Sequence, residues 1–249
     1  MSTNRLIAVV AGALFITATA ADLISRVAFV QPVLGDPVDL ARIGANENQV
    51  LLGALFMFVG AAAAAGIAIA LYPVLRQYNE GLALGSVGFR LIEGALHIGI
   101  VVCLLLLVSL SQESANAGAS ASSVYMVPAA LVLAARDALG EAAVLAFGIG
   151  GFMYYWVFYR SRLVPRWLSA WGFVAIVSVV VSGVLVMLDL IEPMSTTQIV
   201  LALPIFLQEM VLAVWLIAKG FDPSAIASIS PGAAPGWRTT TSTASGTAA

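Results

Sequence analysis

Residues 50–75 read VLLGALFMFVGAAAAAGIAIALYPVL, a run of 26 residues without a single charge. A helix needs ~20 mostly apolar residues to cross ~30 Å of hydrocarbon, so this stretch predicts a membrane-spanning helix. It is apolar throughout and lacks the period-two alternation of a barrel strand. Working outward, five further segments have the same character, at 6–25, 82–111, 127–159, 167–190 and 197–218. The third and fourth spans in chain order, 82–111 and 127–159, exceed the minimum and must tilt or protrude. The expected fold is all-α, an integral membrane bundle of about six transmembrane helices.

Composition agrees. The chain has 249 residues, of which 61% are hydrophobic and 10% charged, whereas a soluble domain carries about 25% charged residues. Mean hydropathy is +1.01. A water-soluble globule and a disordered chain are both excluded, the second because disorder requires few apolar residues. A net charge of −2 excludes nucleic-acid binding through a basic face. The single cysteine, Cys103, cannot close an internal disulfide or build a Cys-rich metal site and reads as a small core residue.

The connections separate cleanly from the spans. Arg76–Gly81 joins the second and third, and Arg160–Arg166 joins the fourth and fifth. Gln112–Met126 reads as a small-residue loop preceding Pro128, which suits a first helical turn. Asn46-Glu47-Asn48-Gln49 directly precedes the second span and is expected to cap it. With the N-terminus inside, seven basic residues (Arg5, Arg76, Arg160, Arg162, Arg166, Lys219, Arg238) fall on the cytoplasmic side and two (Arg26, Arg42) outside. Positive residues favour the cytoplasm, so both termini are expected there. Tyr72, Tyr154, Tyr155, Trp156, Tyr159, Trp167, Trp171 and Trp215 lie near the same ends and read as an interfacial belt, with Tyr125 opposite. Residues 1–222 are expected to form one membrane domain. Residues 223–249, rich in Ser, Thr, Ala, Gly and Pro, are expected to form a disordered tail. Arg5, the apolar Leu6–Ile16 and Ala18-Thr19-Ala20 also imitate a cleavable secretory signal; the six-helix reading retains this segment as the first span.

Several stretches resemble a bacterial multi-pass family known as domain of unknown function 4386. They are Asn46-Glu47-Asn48-Gln49-Val50-Leu51-Leu52-Gly53-Ala54, Gly81-Leu82-Ala83-Leu84-Gly85 with Gly88-Phe89-Arg90 and Glu93, and Ala135-Arg136-Asp137. Ser161-Arg162-Leu163-Val164-Pro165-Arg166-Trp167-Leu168-Ser169 and Lys219-Gly220-Phe221 complete the set. The resemblance runs from about residue 5 to 225. It implies a helical membrane protein and carries no assigned activity.

Six charges fall inside the expected spans: Arg90 and Glu93 on the third, Arg136, Asp137 and Glu141 on the fourth, and Glu209 on the sixth. His97, the only histidine, accompanies them. One charge at a helix centre costs ~2.5–3.5 kcal/mol on insertion scales, so six facing lipid alone would cost ~15–20 kcal/mol. They must converge or pair. At 100° per residue Arg90, Glu93 and His97 share an arc of ~60°, and Asp137 and Glu141 share a face of their helix. Arg136 points ~100° from Asp137, so its anion is expected on another helix, with Glu93 and Glu209 the candidates. Glu93 and Glu209 lie ~16 Å and ~14 Å from the cytoplasmic ends of their spans, at matching depth. Two bases against four acids leave an excess of negative charge equal to that of the whole chain.

No paired-histidine spacing supports a metal, and no cofactor is expected. Three functions compete. The first is binding or transport of a proton or a cationic or amphiphilic small molecule at the acidic cluster. The second is a membrane enzyme acting on a lipid or isoprenoid-like substrate by carboxylate acid–base chemistry. The third is a non-catalytic accessory or envelope-stress protein in which the ion pairs only join helices. The lipid bilayer is the one certain partner, nucleic acid is not one, and the oligomeric state is left open.

Overall fold

Short polar side chains start three of the helices. Ser2 Oγ accepts from the Arg5 N–H at 3.4 Å, Asn79 Oδ1 from Leu82 at 2.9 Å, and Ser195 Oγ from Gln198 at 3.3 Å, each relieving an orphan donor of a first turn. The computed structural model describes residues 2–35, 37–118 and 123–227, and among these it contains helices and no strand. The helices are α1 (Thr3–Leu23, continued as a π-helix over Ile24–Val30), α2 (Leu40–Ala45), α3 (Glu47–Leu75) and α4 (Glu80–Ala117). After them come α5 (Ser123–Ser161), α6 (Arg166–Met187), α7 (Thr196–Ala218) and α8 (Pro223–Ala227).

Five of these are long and apolar enough to cross a membrane: α1 with its π-helical continuation, α3, α4, α6 and α7. The sixth long helix, α5, has 39 residues and bears Arg136, Asp137 and Glu141 in its first half. Every long helix turns large apolar side chains outward, among them Leu6, Leu55, Leu84, Leu131, Val174 and Val214. A bundle apolar outside as well as inside is one built for lipid.

The long helices close into a ring. Each packs on its chain neighbours, in the order α1, α3, α4, α5, α6, α7, and α7 returns to pack on α1. Arg5 fastens the closure. Its guanidinium donates to the carbonyls of Leu216 at 3.0 Å and Ile217 at 2.5 Å, placing a cation on the negative pole of α7. The first turn of α1 and the last turn of α7 therefore lie at the same end of the bundle. Gly220 makes room for this contact: its φ is +76°, and a Cβ there would come within 3.0 Å of the Arg5 guanidinium.

Two apolar cores fill the ring at different levels. One joins Phe15, Ile67, Leu71, Ala83, Tyr154, Phe158, Leu168 and Leu212 from all six long helices. The other joins Val30, Ile43, Val50, Met57, Ile100, Leu104 and Ala129 from α1 to α5, with nothing from α6 or α7. Tyr154 and Tyr155 are fully buried in or beside the first core, so they are not interfacial belt residues; Trp156 and Trp167 remain exposed.

Several boundaries differ from those read in the sequence. The first helix passes Arg26 because Asp22, one turn back, pairs with it. Most of the expected Gln112–Met126 loop is helical, α4 extending to Ala117 and α5 starting at Ser123, so Pro128 lies inside α5 rather than in its first turn. Asn46 holds the N-cap position of α3 but makes no side-chain cap, because its amide donates to the Arg42 carbonyl instead. Residues 223–227, assigned to the tail, form α8, whose Ala225 carbonyl accepts from Tyr78 Oη at 2.8 Å. The remaining tail, 228–249, lies outside the described residues.

Two predictions follow from this packing. A Cβ at Gly172 would lie 2.5 Å from the Tyr155 ring, so Gly172→Ala is expected to destabilise the bundle by about 1–3 kcal/mol through overpacking, measured as a lower unfolding temperature in detergent. Asp222 Oδ1 caps α8, accepting from the Ser224 hydroxyl and N–H, and these bonds hold its carboxyl below the usual range. The cap therefore stabilises α8 above the ordinary carboxyl pKa and is lost as pH falls through the lowered folded value. Amide protection factors over 224–227, corrected for the intrinsic pH dependence of exchange, are expected to fall on acidification, and Asp222→Ala to abolish that fall.

Candidate functional site

Between the two apolar cores lies a polar layer. On α1 it spans Thr19 to Arg26, on α3 Gly60 to Ala64, on α4 Arg90 to His97, on α5 Ala143 to Phe147 and on α7 Ala202 to Glu209. These residues enclose a cavity of about 270 Å³. The small residues Gly60, Ala61 and Ala64 supply the space on α3, where larger side chains would fill it.

Arg90 is the hub of this layer. Its guanidinium nitrogen Nη1 lies 2.9 Å from Glu93 Oε2, with both side chains almost wholly buried. Nε donates to the Ala64 carbonyl of α3 at 3.2 Å, and the guanidinium carbon lies 5.1 Å from the centroid of the Phe147 ring on α5. One side chain thus joins three helices by charge, hydrogen bond and cation–π contact. The i,i+3 spacing of Arg90 and Glu93 lets one helix supply both members of the ion pair. His97 sits one turn beyond Glu93, its Nδ1–H donating to the Glu93 carbonyl at 2.9 Å. That bond leaves Nε2 as the acceptor nitrogen.

Glu209 comes from α7. Thr19 Oγ1 of α1 donates to its Oε2 at 3.3 Å, while Oε1 is buried without a hydrogen-bond partner. Just above in the chain, Pro204 has no N–H for the helix ladder. One residue past the Val200 carbonyl that loses its ladder donor, the Leu201 carbonyl accepts from Ser178 Oγ of α6 at 2.6 Å. At the end of the cavity nearer the α1 C-terminus, Arg26 Nε donates to both carboxylate oxygens of Asp22, at 3.0 and 2.8 Å, with the two side chains about one-third exposed. On the opposite side lies the first apolar core, where Phe15 meets Tyr154 edge-on and the Tyr154 and Tyr155 ring centroids are 4.5 Å apart. Tyr155 Oη donates to Gln208 Oε1, and the Gln208 amide donates to the Leu168 carbonyl at 3.2 Å. Three helices are tied beneath the cavity by that chain of bonds.

Of the seven residues singled out in the sequence, Arg90, Glu93, His97 and Glu209 line this cavity, and Arg136, Asp137 and Glu141 do not. Arg136 finds its anion beside it in the chain, Nη1 donating to Asp137 Oδ1 at 2.8 Å, and not on another helix. Its long side chain reaches round the 100° that separates the two Cβ directions. Glu141 directs a buried Oε2 toward α6, where a Cβ on Gly183 would come within 3.1 Å of it. The sequence reading missed Thr19, Arg26 and Phe147 as lining residues; the i,i+4 spacing of Asp22 and Arg26 was the available signal for the second. Cys103 is buried. Among the described residues no three His, Cys, Asp or Glu side chains converge as a metal site.

A ring of lipid-facing helices around a charged interior defines a multi-pass membrane protein with a polar central cavity. Residues 10–220 match the family described as a domain of unknown function (DUF4386), and the chain belongs to that family. No curated protein and no solved structure matches it.

Removing one member of a buried ion pair costs about 3–5 kcal/mol, because the other charge is stranded. Glu93→Gln is expected to lower stability by that order, while Arg90→Met combined with Glu93→Leu restores most of the loss. Thermal unfolding of the two variants in one detergent provides the comparison.

Proposed function

We propose that the central cavity binds a proton or a small cationic molecule at Glu209, within a bundle of six membrane crossings that has both termini in the cytoplasm of a bacterial inner membrane. The single supporting observation is the buried Oε1 of Glu209, which has no hydrogen-bond partner in a cavity whose other charges are matched. Asp22 neutralises Arg26, and Glu93 neutralises Arg90. Glu209 is left as the surplus carboxylate, and a buried surplus charge calls for a counter-ion or a proton. A volume of about 270 Å³ lies just under the ~300–1,000 Å³ of pockets that hold drug-sized ligands, which favours a small cation over a bulky amphiphile.

Membrane placement supports the same reading. Twenty residues of α5 counted back from Tyr159 cover about 30 Å and end near Leu139. Arg136 and Asp137 then stand at the outer surface, outside the buried set, and α5 serves as the sixth crossing. Glu209, about 14 Å from the α7 C-terminus, sits at the midplane, where ionisable groups commonly mark an ion or substrate path.

The test uses purified protein in lipid nanodiscs with choline as the cation and 3,3-dimethyl-1-butanol as its neutral isostere. Choline is expected to raise the unfolding temperature and the isostere to leave it unchanged. Glu209→Gln should weaken the choline effect at least tenfold and take up about one proton fewer over an acid titration. A folded wild-type protein that neither responds to choline nor differs from Glu209→Gln in proton uptake overturns the reading.

A further inference from the structure

The corner between α5 and α6 carries three arginines that form no ion pair among the described residues. Arg160, Arg162 and Arg166 fall within seven residues there, and all three are exposed. No acidic residue occurs anywhere from 142 to 188. Asp222, the acid that reaches this corner, meets it through its N–H, which donates to the Leu163 carbonyl at 2.9 Å, and turns its carboxylate to Ser224. The corner also concentrates positive potential from the backbone. The N-terminus of the 22-residue α6 has Pro165 at its N-cap and no side-chain cap; the Leu168 N–H bonds to the Pro165 carbonyl at 3.0 Å, and the Arg166 and Trp167 N–H groups lie at the positive pole of the helix.

Side-chain packing draws Arg166 toward the α5 end that carries Arg160. Arg166 folds back from α6 so that its guanidinium carbon lies 5.3 Å from the centroid of the Tyr159 ring on α5, next to Arg160. Below Arg160, one helical turn toward the bilayer centre, Trp156 is exposed and stacks on Phe152 at 6.3 Å. Phe173 of α6 meets both, at 5.0 Å from Phe152 and 6.3 Å from Trp156. A cluster of guanidinium groups at the membrane boundary thus stands directly above an aromatic wall that runs into the hydrocarbon.

We infer that this corner is a binding site for an anionic phospholipid. Arg160 and Arg166, with Arg162 flanking, hold the phosphate by charge-assisted hydrogen bonds, and an acyl chain lies along Phe152, Trp156 and Phe173. The two halves fit one amphiphile: the arginines alone would accept any anion, and the aromatic wall alone any apolar chain. The site is separate from the central cavity and does not depend on what the cavity binds.

The experiment takes delipidated full-length protein in neutral detergent, adds phosphatidylglycerol or phosphatidylcholine, and counts bound lipids by native mass spectrometry. Phosphatidylglycerol is expected to be retained in preference to phosphatidylcholine. Arg160→Gln with Arg166→Gln should weaken it about 10- to 30-fold, in line with the attraction each arginine adds near an anionic headgroup. Trp156→Ala, which keeps every charge, should weaken both lipids. Each arginine is also changed singly, so that a folding defect in the double variant does not decide the result. Equal retention of the two lipids overturns the proposal, as does a folded single or double arginine variant with unchanged phosphatidylglycerol binding. Full displacement of the lipid by 10 mM inorganic phosphate would assign the corner to a free anion and overturn the lipid assignment.

Discussion

Hydrocarbon offers no hydrogen bonds and screens no charge, so each polar group carried into it must find its partner within the protein. The architecture answers to that constraint around Arg90. A guanidinium on α4 cannot face lipid, and it is met by Glu93 on its own helix, by the Ala64 carbonyl of α3 and by the Phe147 ring of α5. Those contacts fix which faces of the three helices turn inward. Once they do, the outward faces are left to Leu55, Leu84 and their counterparts, which lipid accepts without cost.

Apolar packing then divides around the polar layer instead of running through it. On α1, α3, α4 and α5 the residues of one core precede the cavity and those of the other follow it. The lower core draws on all six long helices and is rigidified by the Tyr155–Gln208–Leu168 chain of hydrogen bonds. The upper core lacks α6 and α7, so the cavity is sealed on one side and less enclosed on the other. This asymmetry gives the Asp22–Arg26 pair its partly exposed position at the open side.

Much of this was legible from residues alone. Continuous apolar runs announced the helices, and the price of intramembrane charge demanded that Arg90, Glu93, His97 and Glu209 converge, as they do. Arg136 and Asp137 escaped the argument because a long arginine side chain can reach the carboxylate next to it in the chain, so neither needed a partner on another helix. Tyr154 and Tyr155 looked interfacial by position along the chain, but the direction of a side chain round its helix depends on neighbours that a single segment does not reveal. Arg26 was taken as a loop residue because a charge usually ends a span. Its partner four residues earlier lets the helix continue in π form, a local widening that often accompanies functional sites.

Ring closure has a consequence for how the protein is made. α7, which carries Glu209, follows every other long helix described above in chain order, and its neighbours in the ring are α6 and α1. Until it arrives, Thr19 lacks the carboxylate it bonds, and Arg5 lacks the helix end it caps. The nascent chain therefore holds an open crescent whose polar layer faces a gap, and a quality-control system reading exposed polar groups in the bilayer would recognise it as unfinished. Insertion of α7 closes the ring and buries the polar layer in one step, so that completion of the cavity and removal of that mark coincide.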